Sequence, residues 1–310
     1  MNRTVFPLGL LAAAFLSLSH PLPAHAQAQP IRTFVALTGS DANPCTFASP
    51  CKSVQHAHDV VAAGGEIRML DPGSYGLVTI TKAISILGDG HGGMAASGNA
   101  IAVTIKAGPT DKIALRGLVI EGFGTGAEGI KLTSGASLVV QDCVIRNFTT
   151  IGIDFSPTVA SSVSISRTLV TDAGTGIQVT PTAASVTGIL DHVESYNNRG
   201  RGISIFANTA PVNVTVSDSA VAGNGQYGIG STTNATGASF VMVRNTAIAN
   251  NGIVMLAFGN IATLRVTRST ITGNATGLSA QNGATLVSYG DNDLDGNTAD
   301  GAPTTTTGYH

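Results

Sequence analysis

The chain has 310 residues, a formal charge of −2, 11% charged residues, 38 glycines and no tryptophan. So sparse and balanced a charge excludes a basic nucleic-acid-binding face and a long acidic tail. Val, Ile, Thr, Ser and Asn fill the stretches between glycines, which favours many short strands joined by turns.

From the amino terminus, the first 26 residues read as an export signal. Arg3 supplies the positive start, residues 5–18 the apolar stretch, and Ala24-His25-Ala26 the small-residue cleavage site. Cleavage there leaves 310 − 26 = 284 residues. No later apolar run approaches the roughly 18 residues that a membrane span requires. The expectation is a secreted protein, extracellular or periplasmic.

Residues 27–63 form an N-terminal segment. Within it, Cys45 and Cys51 lie in the loop NPCTFASPC, and an oxidising compartment favours a bridge between them. Closing so small a loop contributes roughly 2 kcal/mol through lost chain entropy. Next, Val54, Ala57, His58 and Val61 recur at helical spacing, and Gly64-Gly65 is expected to stop that helix. Its apolar face suits a cap over the open edge of whatever follows. On that face His58 reads as a packed histidine rather than a ligand.

From residue 64 onward the chain repeats. Ile120, Ile145, Val170, Ser195, Val221, Ile248, Ile271 and Leu294 stand 25, 25, 25, 26, 27, 23 and 23 apart. Such a period marks a solenoid. Five residues before each anchor stand Leu115, Val140, Ile165, Leu190, Val216, Val243 and Val266, and most positions seven before are apolar too. Apolar residues two apart share one side of a strand. Short Gly-Ile segments, as in Gly129-Ile130-Lys131-Leu132 and Gly202-Ile203-Ser204-Ile205, give each repeat a further strand. Three strands must therefore return to the same edge one level higher, and the predicted fold is all-β: a parallel β-helix over residues 64–297, capped by the short helix and followed by a tail, 298–310. Cys143, inside a repeat, reads as a small buried side chain. Three residues after the anchor stand Asn198, Asn224, Asn251, Asn274 and Asn297, whose amides can bond coil to coil in a ladder.

Two features carry a family resemblance. One is the segment CKSVQHAHDVVAAGGEIRMLDPGSYGLVTITKAISILGDG, residues 51–90; the other is the pairing of Gly-Asn with a following Gly-Ile, as in Gly223-Asn224 and Gly228-Ile229. In both the chain resembles the pectin-lyase-like right-handed parallel β-helix superfamily, over about residues 51–297. That superfamily includes pectate and pectin lyases, polygalacturonases, epimerases and phage tailspikes, so the resemblance implies the fold without fixing a reaction. No polygalacturonase-like Asn-Thr-Asp with later Asp-Asp and Arg-Ile-Lys is present, and no pectate-lyase-like arginine motif. Gly90-His91-Gly92 matches the polygalacturonase Gly-His-Gly in letters only, because it lies upstream of that motif's place.

Chemistry concentrates in the column three residues before the anchor: Asp142, Arg167, His192, Asp218, Asn245 and Arg268, with Asp191, Glu194, Tyr196, Arg199 and Arg201 crowding one coil. Their parity with the apolar columns points them outward. Arg167, His192 and Asp218 are expected within hydrogen-bonding reach, where a His or Arg base beside carboxylates could take a sugar-ring proton or protonate a leaving oxygen. Asp142, Arg167, Asp191, His192 and Asp218 are the candidate catalytic residues. The plainer account is a solvated face of alternating charges, each pair contributing roughly 0.2 to 1 kcal/mol. Asp291, Asp293, Asp295 and Gly296 match the start of a calcium loop, but Ala302 stands where its closing glutamate belongs. No metal or cofactor is expected.

Two functions fit. The preferred one is a secreted β-helix that binds extracellular or envelope polysaccharide or serves as a surface scaffold, with no nucleic-acid partner and no membrane span. The alternative is a polysaccharide lyase, glycoside hydrolase or epimerase working through the Asp142 to Asp218 strip.

Overall fold

A computed structural model describes Met1 and residues 28–308, so the export signal lies almost wholly outside the described residues. Among the described residues every pair of adjacent strands is parallel, and they form a 20-stranded and a 10-stranded sheet. The larger sheet is two faces fused where the long strands Ser161–Thr171 and Val186–Tyr196 run through the corner between them. Each coil thus presents a first face (for example Ser137–Gln141), a second (Val144–Arg146) and a third (Ile151–Phe155).

The anchor column is in register throughout: Ile120 pairs with Ile145, Ile145 with Val170, Val170 with Ser195, and so on to Ile271 with Leu294. Apart from Leu294 these residues are buried, as are the apolar columns of the other two faces, and together they make one core along the axis. Burying each such side chain stabilises by roughly 1.5–3 kcal/mol, so stacking of neighbouring coils carries the fold.

Ser195, polar where other coils are apolar, is fully buried. Its Oγ donates to Gly202 O at 3.0 Å and accepts from Asn198 Nδ2 at 3.2 Å. It therefore heads the asparagine ladder. From there Asn224, Asn251, Asn274 and Asn297 each accept, on Oδ1, the side-chain amide of the asparagine one coil before, at 2.8–3.2 Å.

The capping helix spans Val54–Val60, with Ser53 Oγ accepting from His56 N at its start. It ends before Gly64-Gly65, because Val61 is already extended. Val54 and Ala57 are buried against the first coils, and His58 Nε2 accepts from Thr81 N at 3.2 Å. His58 is a packed histidine, only 3% exposed. Cys45 and Cys51 are bridged.

Two boundaries differ from the sequence reading. The sheet starts earlier, since Arg32–Val35 pairs with Gly65–Met69 on the first face. It also continues later: Ala299–Gly301 pairs with Thr276–Gln281, and Thr305–Thr306 with Thr285–Ser288, so the supposed tail adds to the stack. Both segments are short and weakly apolar, which hides them from a periodicity argument.

Candidate functional site

The strip sits at the corner between the first and second faces, and backbone geometry puts it there. Asp142, Arg167, His192, Asp218, Asn245 and Arg268 all have φ between 45° and 55°, the left-handed region, with Gly117 one coil earlier at 59°. One such residue turns the chain sharply between two strands. Non-glycine residues adopt this region at a cost, Asp and Asn least. Their outward direction thus comes from a bend, not from strand parity.

The residue after each bend turns inward and seals the corner. Thr168, Ser219, Thr246 and Ser269 are buried, and each hydroxyl donates to the carbonyl two residues before it, at 2.6–2.9 Å. Cys143 occupies the same place, its thiol 3.2 Å from Gln141 O. This explains its burial, and burial pushes its pKa up to about 11.

Along the strip, partners differ from those expected. Arg167 clasps Asp142 with both ends of its guanidinium, at 2.6 and 3.1 Å, which holds that carboxyl below the ordinary aspartate range. His192 Nδ1 meets Asp191 Oδ2 at 2.8 Å, and Ser217 Oγ donates to Asp191 Oδ1 at 2.7 Å; the Ser217 and His192 contacts lower the Asp191 pKa. Asp218 Oδ1 accepts from Asn245 Nδ2 at 2.5 Å. Arg167, His192 and Asp218 therefore form separate pairs, not one bonded row, because each reaches backward, forward or along its own strand. Asp191 is not a corner residue but the strand residue before it.

Chemically, Asp191 and His192 form a carboxylate-oriented imidazole, the arrangement a general base needs. A depression of about 450 Å³ between Asp142, Arg167, His192 and Glu194 adjoins it. Yet side-chain exposure is 50% for Asp142, 55% for Arg167, 38% for Asp191 and 60% for His192. Pairs so wet contribute little.

The three calcium-loop aspartates do not converge. Asp291 accepts from Thr267 Oγ1 and Arg268 N, Asp293 lies in a strand paired with Thr270–Thr272, and Asp295 accepts from Gly296 N. Among the described residues, Cys45, Cys51 and His56 come close enough together to hold a metal, but the two sulfurs are bonded to each other.

The third face carries Glu128, Lys131 and Asp154, which the sequence does not mark as a group, and Arg201, which the sequence sets beside the strip. Lys131 Nζ bonds Glu128 at 2.9 and 3.1 Å and Asp154 at 3.2 Å, and Asp154 is only 3% exposed. Two coils along from Asp154, Arg201 lies 5.3 Å from the centre of the Tyr227 ring. Glu128 and Lys131 are three apart yet point the same way. The signal was the recurring glycine between them, which breaks alternation.

Comparison with known proteins bears on this geometry. A family model described as the right handed beta helix region matches residues 73–241, more than half of the chain. The chain belongs to that family. Solved structures similar to this β-helix protein include pectate lyase Pel9A, 14% identical with a TM-score of 0.62, over 83% of this chain and 74% of that one. The mannuronan C-5 epimerase AlgE6 A-module of Azotobacter vinelandii is 16% identical with a TM-score of 0.63, over 81% and 74%. An alginate lyase from Paenibacillus sp. str. FPU-7 is 15% identical with a TM-score of 0.61, over 89% and 98%. At these identities the likeness is one of fold. Comparison with curated protein sequences gives no match. Among the described residues of this β-helix, no helix is long and apolar enough to cross a membrane.

Proposed function

We propose that this β-helix is exported and binds extracellular or envelope polysaccharide lengthwise, presenting one row of side chains per coil to a repeating chain of sugars. The observation that carries the reading is the in-register stacking of the outward columns, coil upon coil. A pyranose unit is about as long as the rise of one coil, roughly 4.8 Å. The Cys45–Cys51 bridge suits an oxidising compartment, and the export signal read from the sequence supplies the route there. Structures of similar fold act on pectate and alginate by their printed names, which supports a saccharide partner over a protein one.

The second reading, a lyase, hydrolase or epimerase, rests on the Asp191–His192 pair. The openness of the strip favours binding. Affinity electrophoresis of the mature protein in uronate-containing and neutral polysaccharides tests the first reading, which fails if no gel retards it. Unsaturated products and new reducing ends, followed in the same samples, test the second. Turnover that disappears in a folded His192→Ala variant would replace binding by catalysis.

A further inference from the structure

We propose that the third face holds a subsite for an acidic sugar, with the Arg201 guanidinium, seated over the Tyr227 ring, grasping its carboxylate or sulfate. The proposal rests on the polysaccharide reading and assigns it a place and a charge.

The local backbone explains how the site forms. Arg201 and Tyr227 each precede a glycine, Gly202 and Gly228, and the isoleucines after those glycines, Ile203 and Ile229, are buried in the core. A Cβ on Gly202 would come within 2.6 Å of Val221 inside the coil, so the glycine takes an inward place where no side chain fits. The extra inward residue lets the position before it and the position after the isoleucine both face out. Arg201, Tyr227, Gln178 and Ser204 thereby share one outer surface, with Gln178 and Ser204 in register.

Tyr227 is 7% exposed although its column faces outward. It lies over Gly230, where any Cβ would come within 2.5 Å of the ring, and its hydroxyl pairs with Ser204 Oγ at 2.8 Å. Burial raises its pKa, so the phenol stays neutral. The ring thus backs an open depression of about 360 Å³, which Gln178, Thr180, Arg201, Phe206, Thr232 and Leu256 also line.

Charge selects the ligand. Arg32 and Arg68 pair with Glu66, Arg146 with Glu121 and Arg167 with Asp142. Arg201 meets no carboxylate among the described residues; Gln226 Oε1 at 3.4 Å and the Tyr227 face steer it instead. A planar fork held over an aromatic ring presents its outer N–H groups to a carboxylate or sulfate in two hydrogen bonds.

The test is calorimetric titration of the full mature chain with a galacturonate hexasaccharide, a heparin-type sulfated hexasaccharide and neutral maltohexaose. At least one acidic ligand should bind and maltohexaose should bind more weakly; which acid wins tells uronate from sulfate. Arg201→Gln should weaken the acidic ligand roughly tenfold or more, Arg201→Lys should fall between, and Arg265→Gln on the first face should bind as the parent does. Equal affinity in folded Arg201→Gln, or equal affinity for maltohexaose, overturns the subsite while leaving polysaccharide binding intact. Loss in His192→Ala with retention in Arg201→Gln moves the site to the corner strip and also overturns it. Absence of binding to all three ligands overturns the subsite, and gel retardation by other polysaccharides then decides the broader reading separately.

Discussion

Asn198 donates its side-chain amide to Asn224 Oδ1 at 2.9 Å, and its backbone N–H reaches the same oxygen at 3.1 Å. The motif recurs, so each amide oxygen closes two donors of the coil before it. Asn251 is the middle rung: its Oδ1 serves Asn224 while its own amide reaches Val221 O, Ala249 O and Asn274 Oδ1. Asn251→Ala therefore leaves buried donors and acceptors unpaired on both sides. It should cost about 1–3 kcal/mol, read as a lower denaturant midpoint at unchanged slope. A midpoint equal to the parent's would mean that the ladder is decorative.

Position 143 offers the opposite case. Its thiol sits where Thr168, Ser219, Thr246 and Ser269 place hydroxyls in other coils, and it meets the same kind of carbonyl. Cys143→Ser should hence be tolerated within about 1 kcal/mol, an unusual outcome for putting a polar atom into a core. Because burial holds the thiol near 11, it should also resist alkylation at mildly alkaline pH until the chain is unfolded. Rapid labelling of the native protein would contradict the buried assignment.

These corners mark the limit of what the sequence discloses. The core was legible because inward residues must be apolar and must recur at the coil length, as Ile145, Val170 and Val221 do. The ladder was legible because asparagine recurs with them. The bends were not, since the sign of φ leaves no trace in hydropathy when Arg167 and His192 occupy a place that Gly117 also fills. The third face was hidden differently. Gly129 and Gly202 each take an inward place without adding an apolar side chain, so a count by twos assigns Glu128 and Arg201 to the wrong side.

His192 shows what the bend demands. At φ 51° a β-branched side chain is strained, whereas asparagine is at ease. His192→Asn should keep stability within about 0.5 kcal/mol, and His192→Val should lose about 1–2 kcal/mol. Equal melting temperatures for the two variants would argue that this corner relaxes. The Asn variant is also the gentler means of removing the imidazole in any activity assay.

Reduction of the Cys45–Cys51 bridge should act locally. Cys51 N donates to Phe34 O at 2.9 Å, Ala36 N to Cys51 O at 3.0 Å and Phe34 N to Cys45 O at 2.9 Å, so the loop is stitched to the first strand as well as to the cap. Hydrogen exchange should quicken in residues 32–36 and 45–65 while the central coils stay protected, since each coil is held mainly by its neighbours. Uniform loosening along the solenoid would count against a local staple, and free thiols in the exported protein would remove it altogether.

The Glu128–Lys131–Asp154 cluster makes a pH-dependent prediction. Burial, reinforced by the Asp154 charge, holds the Glu128 carboxyl above its ordinary value even though Lys131 pulls it down. A folded-state pKa raised above the unfolded one favours folding at acidic pH, where the carboxyl is protonated in both states, and that contribution is lost as pH rises through the folded value. Lys131 is what makes the charged carboxylates tolerable at neutral pH. In Lys131→Met two carboxylates face each other without a cation, and the fold should lose about 2–3 kcal/mol near pH 7, below the full cost of an uncompensated buried charge because solvent reaches Lys131. Near pH 4, with Glu128 largely protonated, most of that deficit should disappear. Urea unfolding of parent and variant at the two pH values provides the comparison. A deficit of the same size at both would mean that Lys131 acts through packing of its stem and not through its charge.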